Sequence, residues 1–492
     1  MSFKYETIDE VLDIAENAIG NTFRNYIIEE ESFSEYSKGN LGHIIEKGLY
    51  GLDINNKRAP DFSNLGVELK VTGYKWVYKG TKVSAKERLV ITMIDFFDNI
   101  EMDFYDTHLY EKIDKILLIL YEYDDEKLNK DFLITNYYLY EFAKIPEKDK
   151  IIIIQDFKKI MEKIKAGKAH EISEGDTMYL GACTKGADSN SIVNQPYSAE
   201  KAMARAYSLK TTYMTNLLRN NVFNEVESKE SLIKDLNLLR NYSFEDNIYQ
   251  LFNPYKEKTL SEIDVMIGET LNRKGNKQLM RSYTSRMLKV TESNFNQIEE
   301  FEKANIEIKT ISLEANGKLK EKISFPAMDF KKVANETWDD SELKDFFEST
   351  KFLFVIFQKV RNSENNERIF KGTFLWNMPT TVIETYVSKV WNDMNNVLNN
   401  SIRIKVKNNR VFNNFPKISE NKVSHVRPHG NTRETTKPLP ERTKIEILEN
   451  DGSVDLSIFF DEHKYSAMCF WINSSYILEL IAEANLLGEP KS

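Results

Sequence analysis

Cysteine is nearly absent: Cys183 and Cys469 are the only two in 492 residues. Two cannot build a disulfide framework or a cysteine-rich zinc site, and their scarcity suits a reducing cytoplasm. Long apolar runs are missing as well. The longest, "KILLILY" and "IIIIQ", fall far short of the roughly 20 residues that cross a bilayer, so no membrane partner is expected. The opening "MSFKYETIDEVLD" lacks the basic-then-apolar layout of a signal peptide. Histidine numbers six, with no pair at metal-binding spacing; His43, His108 and His170 read as packed or solvated residues. No low-complexity tract or proline-rich linker divides the chain. An excess of basic charge is also missing: 67 Lys and Arg face 76 Asp and Glu, a net charge of -9. That balance is unusual for a nucleic-acid binder, yet it is compatible with a basic cleft and with carboxylates gathered at metals.

What is present is an ordinary globular composition, 41% hydrophobic and 29% charged, in a chain long enough for two to four domains. Residues 1–30 read as helical. "KGNLGHIIEKGL" (38–49) reads as a helix burying Leu41, Ile44, Ile45 and Leu49. "YKWVYKGTK" has the look of a hairpin with Gly80 at its turn, and 114–124 that of a buried strand. "QDFKKIMEKIKAG" is an amphipathic helix with Phe157, Ile160, Met161 and Ile164 on one face and Gly167 suited to end it. "YLGACTKGADSNS" reads as a strand entering a loop. "YSAEKAMARAYSLKTTYMTNLL" reads as a turn or helix followed by another helix. Three echoes recur in the same order: "KGN" at 38–40 and 274–276, "DFSNLGVELKVT" at 61–72 and "EFEKANIEIKTI" at 300–311, "SLKTTYMTNLL" at 208–218 and "WINSSYILELI" at 471–481. They predict a duplicated architecture, with domains at 1–220 and 261–492 joined by a charged, Asn-rich segment, 221–260.

The stretch richest in chemistry is "APDFSNLGVELKVTG", 59–73. Val67, Leu69 and Val71 alternate with Glu68, Lys70 and Thr72, a period of two. Glu68 and Lys70 therefore project from one strand face, and "SNLG" is a turn able to bring Asp61 back beside them. On the residues alone two readings stand: a solvated strand face, or a site for metal-assisted phosphodiester hydrolysis. In the second, carboxylates hold a hard cation such as Mg²⁺, and the lysine orients water or offsets charge on the phosphorus.

The surroundings of the cluster favour the second reading. "KGNLGHIIEKGLYG…PDFSNLGVELK", "THLYEKIDKILL", "QDFKKIMEKIKAGKAHEISEGDTMYLGACTKGA" and "RAYSLKTTYMTNLL" resemble, in order, the MutH mismatch-repair nickase and the Sau-type restriction endonucleases that cut at GATC. "FPAMDFKKVANETWDDSE", "FKGTFLWNMP" and "VSHVRPHGNTR" resemble the second half of the Sau-type enzymes, which MutH lacks. The resemblance implies an α/β (α+β) fold of the PD-(D/E)xK kind, a mixed sheet flanked by helices and present as two tandem MutH-like domains. It implies Mg²⁺-dependent double-strand cleavage of DNA at GATC, in the cytoplasm, with a cognate DNA methyltransferase as genetic partner. A MutH-like nickase and a non-cleaving DNA-binding regulator are the competing readings; the long second half and the complete first cluster weigh against them.

Carried over by the resemblance, Asp61 and Glu68 become metal ligands with Glu46 in support, and Lys70 and Lys112 become catalytic lysines. Lys185, in "CTKGA", becomes a base-reading lysine, a role suited to guanine O6 and N7. Lys38 is placed near the DNA. Two departures are plain: Cys183 and Thr184 stand where MutH has Arg-Pro, and Ser208, beside Tyr207, stands where MutH has a tyrosine associated with sensing adenine methylation. Tyr207 and Ser208 are expected at the DNA, and methylation sensing is not carried over by the resemblance. Cys183 lacks a base partner beside it and is not expected to act as a nucleophile.

In the second half the repeated cluster is Glu300, Glu307 and Lys309, intact in spacing. The counterparts of Glu46 and Lys112 fall near Ser282 and Glu348, and a glutamate facing phosphate would repel it. The expectation is a non-cleaving copy that binds DNA, a second GATC acting as effector, through "HVRPHGNTR" (425–433) with Arg427 and His429 as contacts.

Overall fold

A computed structural model describes residues 4–28, 40–53, 58–98, 102–185, 191–225, 228–291, 295–319, 323–325, 327–363, 365–428 and 435–487. Its contacts divide the chain into one unit of residues 1–247 with 296–306 and another of 248–295 with 307–492.

The first unit opens with helix α1, Ile8–Ala18, whose Thr7 hydroxyl and Glu10 carboxylate cap each other's backbone N–H. Among the described residues the helical reading of 1–30 holds for this stretch alone. Ile19 turns extended, Gly20 takes φ +85°, and Phe23–Tyr26 form a 3-10 turn. A helical turn at Asn40–His43 then widens into a π-helical segment, Ile44–Leu49. It buries Ile44 and Ile45, with Leu41 and Leu49 packed on the same core, as the sequence predicts.

Strand β1, Glu68–Val77, returns through a turn around Gly80 (φ +81°) as β2, Lys82–Ala85. Strand β3, Leu89–Met93, precedes helix α2, His108–Ile113, and the apolar strands β4, Lys115–Glu122, and β5, Ile134–Glu141. One mixed sheet runs β2-β1-β4-β5, with β1 and β4 parallel and the other pairs antiparallel. Being central, β4 is buried on both faces from Ile116 to Tyr121, which explains its unbroken apolar run. Val67, Leu69, Leu117 and Ile119 meet α1 and Tyr50 in one core.

Helix α3, Glu147–Lys165, starts earlier than predicted and gives way to Gly167 at φ +68°. It leads to β6, Leu180–Thr184. The reading of "YSAEKAMARAYSL" as turn or helix is wrong: Ala202–Met203 is a short strand, and Arg205–Leu209 forms β7, buried at every position. β7 lies between β3 and β6, antiparallel to both. Pairing on both edges outweighs the local helix propensity of Ala206 and the alanines before it. Helix α4, Thr211–Asn221, follows directly. A later helix, α5, Glu299–Ala304, also belongs to this unit and ends at Asn305, φ +55°.

The second unit repeats the plan. Strand β8, Ile306–Leu313, begins at the boundary; β9, Ile323–Ser324, β10, Lys351–Lys359, and β11, Arg368–Trp376, follow. Later come β12, Ser424–Pro428, β13, Met468–Ile472, and helix α6, Ser474–Glu483. The order β8-β10-β11 matches β1-β4-β5, and β9-β13-β12 matches β3-β7-β6, where β13 and β7 are each antiparallel to both neighbours. Both β7 and β13 run straight into a helix, and the third sequence echo falls on that junction in each unit.

Candidate active site

The "SNLG" segment does fold the chain back. Phe62 and Val67 form an isolated bridge, Phe62 N donates to Val67 O at 2.9 Å, and Gly66 takes φ +65°, a conformation in which a Cβ would be strained. The turn delivers Asp61, whose Oδ2 accepts from Leu69 N at 2.9 Å. Glu68 and Lys70 share the opposite strand face from Leu69, and Lys70 Nζ donates to Glu68 Oε1 at 2.6 Å.

Lys112 arrives from 44 residues away. Its position follows from topology. β1 and β4 are parallel, Glu68 is paired with Ile116, and the helix carrying Lys112 ends just before β4. The start of β1 and the end of α2 therefore meet at one edge of the sheet. Lys112 Nζ reaches both carboxylate oxygens of Glu68, at 3.0 and 3.1 Å. Glu68 is 1% exposed and Lys112 9%, so water screens this pair little.

Glu46, on the π-helical segment, completes the group electrostatically. Burial raises its carboxyl above the ordinary range, and the Asp61 charge raises it further. Asp61 is likewise pushed up by burial and then by Glu68. Three carboxylates thus act on one another in a place poor in water, a donor set that gains from a hard cation bound through oxygen. Among the described residues no three acidic, imidazole or thiol side chains are drawn together tightly enough to hold an ion as they stand; Glu68 is engaged by its two lysines.

The family described as "DNA mismatch repair enzyme MutH" matches this chain twice, over residues 50–156 and over 290–398. The "Type II restriction enzyme Sau3AI" of Staphylococcus aureus is 34% identical over 502 residues, covering 97% of this chain and 99% of that enzyme. The chain belongs to the MutH-related type II restriction endonucleases. Like MutH-type folds it is a mixed α/β protein, with two such domains in tandem. The first match spans Asp61, Glu68, Lys70 and Lys112; the second spans Glu300, Glu307 and Lys309.

The second cluster does not copy the first. Glu300 lies on helix α5 of the first unit, 0% exposed. Its carboxylate accepts from Lys148 Nζ (2.8 Å), Ser231 Oγ (2.6 Å) and Leu232 N (2.9 Å). Lys303, one turn on, binds Asp149 at 2.7 Å and Glu299 at 2.7 Å. The spacing that looks intact in sequence places a structural ion network where the first domain has a turn and an aspartate bonded to the start of β1. Glu307 and Lys309 do sit two apart on β8, joined at 2.7 Å, but the Glu307 side chain is 36% exposed against 1% for Glu68. Ser282 donates to its own helix at Gln278 O, and Glu348 lies on the helix Glu342–Ser349.

Lys185 stands exposed at the end of β6, its backbone N–H donating to Ala204 O at 2.8 Å. Tyr207 and Ser208 lie on central strand β7, 4% and 0% exposed; the Tyr207 hydroxyl donates to Met161 Sδ at 3.4 Å. Neither side chain faces solvent beside Lys185. Burial pushes the Cys183 thiol up, the opposite of what an activated nucleophile needs. His108 and His170 pair with Asp98 and Glu200, while His43 is exposed. Lys38 and His429 lie outside the described residues.

In the second domain Arg427 is exposed on β12, its guanidinium 5.0 Å from the centre of the Trp471 ring. Leu180 pairs with Leu209 and Ser424 with Ile472, each partner standing one residue before its helix cap. Counting on from those pairs, Arg427 occupies the place of Cys183. One supporting residue gave no signal in sequence. Asp156 of α3 accepts backbone N–H groups from Met178, Tyr179 and Leu180 at 2.6–2.9 Å, fixing the start of β6. Burial lifts its carboxyl to about 6 in spite of those donors. It looks like any polar helix position until the fold brings the strand to it.

Proposed function

We propose that this restriction endonuclease makes Mg²⁺-dependent double-strand cuts at GATC in DNA, with Asp61, Glu68, Lys70 and Lys112 as its reactive centre. The observation that carries the reading is the convergence of Lys70 and Lys112 on the buried Glu68 carboxylate, with Asp61 anchored to the same strand. A bound Mg²⁺ supplies Lewis acidity toward the scissile phosphate and makes water more acidic; Asp61 and Glu68, supported by Glu46, are the residues that hold it. Lys70, a quarter exposed, orients the attacking water by hydrogen bonding. Lys112 offsets the negative charge that gathers on the phosphoryl oxygens in the transition state.

Lys185 reads base edges in the major groove and Lys38 contacts the backbone. Tyr207 and Ser208, buried as they are, act behind that loop by holding the β6–β7 pairing. GATC as the target rests on the resemblance to Sau-type enzymes. The assigned domains are a catalytic 1–220, a connecting 221–260, and a 261–492 domain that binds a second GATC through Arg427 and His429 without cutting. The partly exposed Glu307–Lys309 pair, and a Glu300 committed to an ion network of the first unit, support a second domain that does not cut. Occupation of the second site favours the cutting state of the first, a coupling of about 1–3 kcal/mol. The protein works in the cytoplasm beside a cognate DNA methyltransferase. The test is a GATC-bearing plasmid incubated with purified protein in Mg²⁺ and in EDTA. Defined fragments in Mg²⁺ only are expected; bound but uncut plasmid in both contradicts the proposal.

A further inference from the structure

Four polar side chains near the site, Arg58, Asp95, Asp98 and His108, are not used by the reaction proposed above. Arg58 stands three residues before Asp61. Its Nη1 donates to Asp98 Oδ1 at 3.0 Å and its Nη2 to Asp95 Oδ2 at 2.8 Å. The other oxygen of Asp98 lies 3.2 Å from Nδ1 of His108. The second ring nitrogen of His108 faces Met93 O at 3.5 Å. His108 is the first residue of α2, and Lys112 lies four residues on, on the same helix face. Asp98 thus holds, with its two oxygens, the chain segment that leads into Asp61 and the helix that carries Lys112.

We propose that Asp98 is a positioning residue: by gripping Arg58 and His108 together it fixes the spacing between Asp61 and Lys112 across Glu68. The role rests on the assignment of those three residues to the active site. Several features favour it over a simple surface contact. The turn 95–98 is itself stiffened, with Phe97 N donating to Asp95 Oδ1 at 3.0 Å and Asp98 N to Asp95 O at 3.2 Å. Both tethered segments lack long regular structure of their own: α2 has six residues, and Asp61 sits in a turn. Such segments keep their relative position through side-chain ties. Arg58 is 64% exposed, so the ties add little to global stability, whereas a displacement of about 1 Å among reacting groups can cost on the order of 100-fold in rate.

The experiment compares Asp98→Ala, Arg58→Ala, His108→Ala and the two double variants containing Asp98→Ala with the unaltered full chain. A short GATC duplex is used in single-turnover cleavage, and the same duplex in Ca²⁺ for affinity; melting temperature is recorded throughout. Asp98→Ala should slow cleavage by about 10-fold or more, with affinity within twofold and melting nearly unchanged. The double variant with His108→Ala should be no slower than Asp98→Ala alone, because the shared partner is already gone, whereas that with Arg58→Ala also removes the Asp95 contact and should be the slower of the two. Asp98→Glu should recover part of the rate. If Asp98→Ala does not fold, the two partner variants and Asp98→Asn carry the same comparison. Cleavage at the unaltered rate overturns the role, and so does a parallel loss of rate and affinity, which would make Arg58 a DNA contact. Asp61→Ala run alongside separates the two ideas: its full activity would remove the active-site assignment, whereas an inactive Asp61→Ala with a normal Asp98→Ala removes the positioning role alone.

Discussion

Replacing Lys112 by methionine keeps the volume of a nearly buried side chain and removes its charge. Glu68, 1% exposed, then keeps Lys70 on Oε1, and Oε2 loses the donor it had at 3.1 Å. Breaking a buried pair outright costs about 3–5 kcal/mol, and leaving one buried acceptor unmade about 1–3 kcal/mol. Because Lys70 stays, the lower range applies, and about 2 kcal/mol is expected in metal-free buffer. For a unit of this size that lowers the melting temperature by about 4–8 °C. A divalent cation bound by Glu68 and Asp61 replaces the lost positive charge, so millimolar Mg²⁺ should return most of the loss while cleavage stays low. Differential scanning calorimetry of the variant in EDTA and in Mg²⁺, followed at the transition of the first domain, reads both effects. A variant as stable as the parent in EDTA, or one whose loss is untouched by Mg²⁺, refutes the reasoning.

The pH dependence has a definite sign. Burial first, and then neighbouring carboxylates, hold Asp61 and Glu46 above the ordinary range. A carboxyl raised in the folded state contributes stability that is complete below its unfolded value, about 4, and is lost as pH rises through its folded value. The melting-temperature gain from Mg²⁺ should therefore be small in acid and grow with pH, and Asp61→Asn with Glu46→Gln should flatten it; a gain independent of pH contradicts the electrostatics. Lys185→Ala should reduce affinity for GATC duplexes more than for scrambled ones; equal loss on both would make it a backbone contact. Plasmids with two GATC sites should be cut faster than those with one, and added GATC duplex should stimulate the latter. Arg427→Ala should weaken that stimulation, and identical rates with no response to duplex would leave the second domain without an effector role.

Much of the site was legible because it depends on local rules. A period of two puts Glu68 and Lys70 on one face, and the "SNLG" turn returns Asp61, both visible without a fold. Lys112 was visible only through family resemblance, since its approach depends on the parallel pairing of β1 with β4. Glu300 shows the opposite failure. Its spacing to Glu307 and Lys309 imitates the first cluster, yet it lies on a helix and meets Lys148 and Ser231, partners 152 and 69 residues away. The Ala-rich stretch before Lys210 was misread for a similar reason, because β7 is a strand only by virtue of its two neighbours. Duplication was the strongest long-range signal, and both three-stranded patterns bear it out.

The most direct test is Glu68→Ala, measured for single-turnover cleavage of a GATC duplex with Mg²⁺, together with duplex affinity in Ca²⁺ and melting temperature. Loss of cleavage by at least about 1000-fold, the scale of losing a charge-stabilising group, with the protein folded and still binding DNA, is the predicted result. Cleavage within a few-fold of the unaltered protein would contradict the assignment of the reactive centre to this strand.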